Sequence, residues 1–247
     1  MTILHIAHVP NNPYSGVCNI VPKHIISQQN LINVALLNIV ENNNSGVDNQ
    51  FSQVKHIADL PEPFNKPDLV VFHEIYYPIY LLYGRELFNR KLPYIIVPHG
   101  GLTIEAQRIK KAKKKMANLL LFNRFINEAE AIQCLSNMEE QKTMINKKKF
   151  LSTNGVNIPK RRKEVFNEGK IEFIYIGRID IYHKGLDILI DAINLRRDFL
   201  KENNCVFSIY GPNENKQYEK IIPTPNKTII GNCTQKFISA FSYSLAI

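Results

Sequence analysis

The sequence predicts an α/β protein: a doubly wound parallel sheet followed by a second, shorter α/β unit. Three observations predict it. Short apolar runs alternate with longer helical patterns along the 247 residues. The runs are apolar throughout instead of alternating, as in strands buried on both faces. Strand–helix alternation of this kind builds parallel sheets with helices on either side.

The elements follow in order. Ile3–Val9 forms a first strand, and Pro10-Asn-Asn-Pro-Tyr-Ser-Gly-Val17 a loop rich in turn formers. A helix over His24–Asn30 leads into strand Asn33–Ile39. Strands Leu69–Phe72, Tyr94–Val97 and Ala131–Leu135 come next, separated by helices Ile79–Asn89 and Gln107–Asn127 and followed by helix Met138–Ile145. Pro159 and the polar stretch Lys160–Lys170 break the pattern, so the domains are expected to span 1–165 and 166–247. Strand Ile171–Ile176, helix Gly185–Phe199 and strand Cys205–Tyr210 then resume it, and Gly211-Pro212 ends the last strand. The second unit has clear room for two or three strands, few for a Rossmann-like unit, which points to an incomplete C-terminal domain.

Composition narrows the function. Hydrophobic residues make up 45%, enough for a sizeable core. No apolar run approaches the roughly 20 residues needed to cross a bilayer. The segment Met1–Val9 has neither the charged start nor the cleavage site of a leader, so a cytoplasmic protein is the default expectation. Cys18, Cys134, Cys205 and Cys233 are scattered and form no C-x-x-C pair, which argues against a zinc site or disulfide frame. His5 and His8 lie three apart on one strand and point to opposite faces, a poor arrangement for a metal. The net charge is +9, and Ile104–Arg124 alone holds seven Lys/Arg against one Glu. Such a run suits a phosphate-bearing partner or anionic lipid, and equally suits a solvated basic face. No RNP pattern, helix-turn-helix signature or zinc finger accompanies it, so nucleic acid is not the expected partner.

The strongest local signal is Gly177-Arg178…Lys184-Gly185. It places two cations and two glycines where a strand hands over to a helix, which suits a diphosphate. Structural readings remain open, with Arg178 paired to Asp180 or Asp187 and Lys184 solvated. In the first domain, Gly16 follows the first strand and can bring backbone N–H groups near a phosphate or sugar, although an ordinary βα turn suits the same residues. His99 stands at a strand's carboxyl end in Val97-Pro-His-Gly-Gly-Leu102, with Gly100 and Gly101 removing bulk beside it. It can bond a substrate hydroxyl, carry a proton, or simply fill a turn. His73 and Glu74 end another strand and can face the same cleft. Glu74 is either a site carboxylate or a solvated loop residue. Asn154, in Asn154-Gly155-Val156-Asn157, is a further cleft candidate or a plain turn.

An ordered set of segments resembles the retaining GT-B glycosyltransferases of family 4, many of which build capsules and surface polysaccharides. The set is Ser15-Gly16-Val17, Pro98-His99-Gly100-Gly101 before a basic helix, Leu135-Ser136-Asn137-Met138-Glu139 after a strand, Asn154-Gly155-Val156, and Gly177-Arg178…Lys184-Gly185-Leu-Asp187. The resemblance spans roughly residues 1–212. It implies a GT-B-like fold of two Rossmann-like domains and transfer of a sugar from a nucleotide-sugar donor to a glycan or lipid-linked acceptor. Arg178 and Lys184 would bind the donor diphosphate, Gly16 would lie near it, and His99 would face the donor sugar as the catalytic residue. Neither a metal nor a separate cofactor is implied.

The sequence departs from the family in one respect. The family's E-x7-E pair, in the second domain, has no match after Gly211. The pair Glu164 and Glu172 precedes the Gly-Arg loop and is read as chance. The expectation is therefore a glycosyltransferase with a truncated donor domain and activity reduced or lost. The alternative is a non-catalytic relative that binds a glycan or partner. The basic helix Ile104–Arg124, with Met116 and Leu119–Phe122 beside its lysines, can rest on anionic membrane; in the rival reading its apolar side is core.

Overall fold

The computed structural model describes residues 1–12, 15–40, 44–155, 158, 171–177, 184–211 and 230–231. The chain divides into two compact units, Met1–Gly155 and Val156–Ile247. The boundary expected at 165/166 falls outside the described residues.

The first unit is built on seven parallel strands. These are β1 (Thr2–Ala7), β2 (Asn33–Asn38), β3 (Gln50–Ser52), β4 (Leu69–His73), β5 (Tyr94–Val97), β6 (Ala131–Cys134) and β7 (Lys149–Leu151), in the spatial order β3-β2-β1-β4-β5-β6-β7. The order reverses between β1 and β4, and the carboxyl ends of those strands flank the crevice where ligands bind in such sheets. Residue parity divides the core. Leu4, Ile6, Val70, Phe72 and Ile96 face one side. Ile3, Ala7, Val71 and Val97 face the other, with Val21 and Ile25 of α1 (Gly16–Gln29). Each fully buried aliphatic chain contributes about 1.5–3 kcal/mol. Buried aromatics fill the first side: Phe72 meets Tyr94 and Phe125 edge-on, at 5.4 and 5.0 Å between ring centroids.

Four sequence expectations need correction. Helix α1 begins at Gly16, not His24, with the Ser15 hydroxyl accepting from the Cys18 N–H as its N-cap. Pro22 lies inside it and is buried, which offsets the backbone hydrogen bond it forgoes. The single helix expected over Gln107–Asn127 is four segments. These are α3 (Ile104–Arg108), α4 (Lys111–Ala117), a π-helical turn (Asn118–Phe122) and α5 (Asn123–Glu128). The first break is at Lys110, whose left-handed φ of 53° no α-helix accepts. The leucines of this region are not core: Leu119, Leu120 and Leu121 are exposed, and only Phe122 of that turn is buried. The helix expected over Gly185–Phe199 breaks at Arg196 into two, Leu186–Leu195 and Arg197–Glu202. Strands β3 and β7 are additions, as is a short 3-10 turn at Ile57–Asp59. The remaining helices of this unit are α2 (Pro78–Asn89) and α6 (Asn137–Lys142).

Two polar side chains set the loops. Asn38 is fully buried; its amide oxygen accepts from Val9 N–H at 3.1 Å and its NH2 donates to Val9 carbonyl at 3.0 Å, fixing the exit from β1. Glu86 of α2 accepts from Ile57 and Ala58 N–H groups and from Arg90, capping the 3-10 turn.

In the second unit, β8 (Ile171–Ile176), β9 (Cys205–Tyr210) and β10 (Ile230–Gly231) form a parallel three-stranded sheet in the order β10-β9-β8. Helices α7 (Leu186–Leu195) and α8 (Arg197–Glu202) lie between β8 and β9 in the chain. Its small core pairs Leu186 with Ile209, flanked by Tyr175, Leu189 and Ile190.

Candidate functional site

Three histidines, two on adjacent strands of the first sheet and one just past the end of the next strand, meet along one diagonal. Register explains how. His5 on β1 lies opposite Val71, and His73 is two residues further along β4. His73 lies opposite Val97, and His99 is two residues past it. Each step moves one strand across and one same-face position towards the carboxyl edge. The side chains therefore connect: His5 Nδ1 lies 2.9 Å from His73 Nε2, and His73 Nδ1 lies 3.1 Å from His99 Nε2. At the inner end His5 Nε2 is 3.0 Å from the Gln28 Oε1 of α1. Ring centroids 5.2 Å apart with only 17° between planes, at an N···N distance of 2.9 Å, mean that His5 and His73 meet edge to edge, not face to face.

His5 and His73 are buried and His99 is half-buried. Burial holds His5 and His99 down to about 4, with His24 nearby adding to the effect in both. For His5, the Gln28 hydrogen bond pulls the other way. His73 lies well below the usual histidine range, again through burial first and then its histidine neighbours. At neutral pH the row is uncharged. The contacts are those of hydrogen bonds: a zinc ion bonded at about 2.0–2.1 Å to two imidazoles would spread their nitrogens wider than this. Among the described residues, no group of three His, Cys, Asp or Glu is arranged to hold a metal.

The outer end is strained and clamped. His99 has φ 47° and Gly100 φ 79°, consecutive left-handed residues at the strand end. A histidine there costs on the order of 1–2 kcal/mol, which the surroundings must sustain. Glu139 supplies part of that. Its carboxylate accepts from Gly100 N–H at 2.6 Å and from Leu135 N–H at 2.7 Å, and Glu139 N–H in turn donates to the Ser136 hydroxyl that caps α6. Leaving either part-buried donor unpaired would cost about 1 kcal/mol or more. Gly101 has no room for a side chain, since a Cβ would stand 2.9 Å from the Pro98 carbonyl oxygen.

Glu74, also left-handed at φ 64°, follows His73 directly. Its carboxylate accepts from Tyr77 hydroxyl at 2.7 Å, and the Tyr77 ring stacks on His8 at 5.0 Å between centroids. Burial, then the Glu74 bond, raises the Tyr77 pKa, so the phenol stays a donor. Tyr80 hydroxyl contacts the carbonyls of both Ile6 and His73, tying β1 to β4 beneath the site.

Of the residues expected from sequence, His73, His99, Glu74 and Gly100 therefore come together at the carboxyl edge of β4 and β5. Gly16 opens α1, and a Cβ there would meet nothing within 4 Å. Asn154 forms no hydrogen bond with the histidines among the described residues, and its Oδ1 is buried without a hydrogen-bond partner there. Lys184 is exposed in the second unit, just before the N-cap of α7, and forms no ion pair among the described residues. Arg178 lies outside the described residues. Sequence reasoning missed Gln28, Tyr77, the bonding role of His5 and the clamp from Glu139. The one visible trace was the Ser136-x-x-Glu139 capping pattern.

No protein-family model and no curated protein matches the sequence. Solved structures do match the fold. UDP-GlcNAc 2-epimerase from Methanocaldococcus jannaschii aligns with a TM-score of 0.51 at 12% identity, over 99% of this chain and 76% of that one. A protein assigned as UDP-N-acetylglucosamine 2-epimerase from Listeria monocytogenes aligns with a TM-score of 0.53 at 8% identity, over 98% of this chain and 71% of that one. At these identities the likeness shows architecture alone: the chain has the α/β, GT-B-like fold of Rossmann-like units.

Proposed function

We propose that this chain is a nucleotide-sugar-dependent glycosyltransferase. It would transfer a sugar, with retention at the anomeric carbon, to a glycan or lipid-linked acceptor in surface-polysaccharide assembly. The observation that carries the reading is His99, an uncharged imidazole held in a strained conformation at the ligand-binding edge of a Rossmann-order sheet. The ordered motifs around it support the same reading, and so does the fold shared with enzymes named for UDP-GlcNAc.

His99 is assigned to the donor sugar, and Arg178 and Lys184 to the diphosphate. In the reaction the bond from anomeric carbon to diphosphate oxygen breaks, and one to the acceptor hydroxyl oxygen forms. The hydroxyl proton passes to the departing diphosphate or to solvent, and negative charge gathers on that diphosphate, where cations and helix N-terminal amides such as those at Gly16 act most strongly. No metal or separate cofactor forms part of the proposal.

The acceptor side is assigned to a membrane surface on the cytoplasmic side. Leu119, Leu120, Leu121 and Met116 are exposed beside the exposed Lys111, Lys113 and Lys115, an apolar patch among cations that suits anionic lipid. Among the described residues, no helix is long and apolar enough to cross a membrane.

Calorimetric titration with UDP, GDP and UDP-N-acetylglucosamine tests the donor assignment, with wild type beside Arg178→Ala and Lys184→Ala. Saturable binding is expected, weakened about tenfold or more in each variant by loss of a charge-assisted contact. Absence of binding to every nucleotide would overturn the assignment and favour a non-catalytic glycan- or partner-binding protein.

A further inference from the structure

We infer that Gln28, His5 and His73 are positioning residues that fix the tautomer of His99, so that it presents a bare Nδ1 acceptor to the ligand. The argument follows the hydrogens from one end of the row to the other. A carbonyl oxygen only accepts, so Gln28 Oε1 at 3.0 Å requires the hydrogen of His5 on Nε2. In an uncharged imidazole the other nitrogen is then a lone pair, so His5 Nδ1 accepts from His73 at 2.9 Å. His73 accordingly carries its hydrogen on Nε2, and its Nδ1 accepts from His99 Nε2 at 3.1 Å. His99 is left with Nδ1 unprotonated, and that nitrogen has no hydrogen-bond partner among the described residues.

One amide on α1 thereby sets the polarity of a contact two strands away. The edge-to-edge ring geometry is what a cooperative chain of this kind needs, and burial keeps a compensating proton out. The consequence is selectivity for ligand chemistry. The group that His99 takes is a hydrogen-bond donor, such as a sugar hydroxyl; an anionic oxygen would meet a lone pair. This last step rests on the proposed sugar-nucleotide function, while the tautomer does not.

The test is the ¹⁵N spectrum of the imidazoles in the ligand-free protein at pH 7.5, where protonated and bare ring nitrogens are widely separated in shift. Protonated Nε2 and bare Nδ1 on His5, His73 and His99 are expected. Gln28→Leu, which removes the acceptor without touching His99, is expected to turn the single His99 pattern into a tautomer mixture. A hydrogen on Nδ1 of His99 in wild type would overturn the inference, because Gln28 would then be presenting its NH2 and every bond in the row would run the other way. An unchanged His99 pattern in a folded Gln28→Leu protein would overturn it as well. The wild-type spectrum decides alone if that variant does not fold. No nucleotide enters the experiment, so failure of the glycosyltransferase reading would appear separately, as absent donor binding.

Discussion

At the scale of residues, the histidine row at the site is kept uncharged by burial, and that has a cost in acid. The unfolded chain's histidines take up protons near their ordinary value of 6.5, whereas His5 and His99 resist to about 4 and His73 lies well below its usual range. Between those limits the unfolded state binds more protons, so stability falls as pH falls through the window and is fully present above about 6.5. A histidine shifted this far loses on the order of 2 kcal/mol by pH 5. Urea unfolding at pH 7.5 and pH 5.0 should therefore show a marked drop in stability at the lower pH; equal stability would mean that the row already carries protons. His73 and His99 were visible in the sequence because they end apolar runs beside turn formers. The bonding role of His5 was not, because a histidine inside a strand carries no mark of its cross-strand partner. Its link to His73 spans 68 positions and is a product of register.

Among elements, the helical stretch after His99 differs most from what its sequence suggested. Phe122, Phe125 and Ile126 form the narrow stripe that meets the core, while Leu119–Leu121 face outward, following the run of lysines at 110–115. Periodicity could not show this, since the break at Lys110 and the π turn both shift the phase of the pattern. If the patch meets lipid, flotation with vesicles containing anionic lipid should recover the protein, and Leu119→Ser/Leu120→Ser/Leu121→Ser should not be recovered. Equal recovery with neutral vesicles would remove the membrane assignment. The long strands were legible because they are apolar throughout. Strands β3 and β7 were not: each has three residues, lies at a margin of the sheet and is only partly covered.

For the whole molecule, the order β3-β2-β1-β4-β5-β6-β7 is what turns scattered histidines into a site, by placing β1, β4 and β5 side by side. The sequence carried the class of fold and the edge of the sheet that matters. The clamp between Glu139 and Gly100, 39 positions apart, could come only from the folded chain. The central claim is that this edge handles a sugar. Its most direct test is to incubate the protein with UDP-N-acetylglucosamine and other nucleotide sugars and to measure release of the nucleoside diphosphate beside His99→Ala. The account predicts release that falls about 100-fold or more in the variant while its melting temperature in the same buffer stays close to wild type. No release from any nucleotide sugar, or release that survives loss of His99, would contradict it.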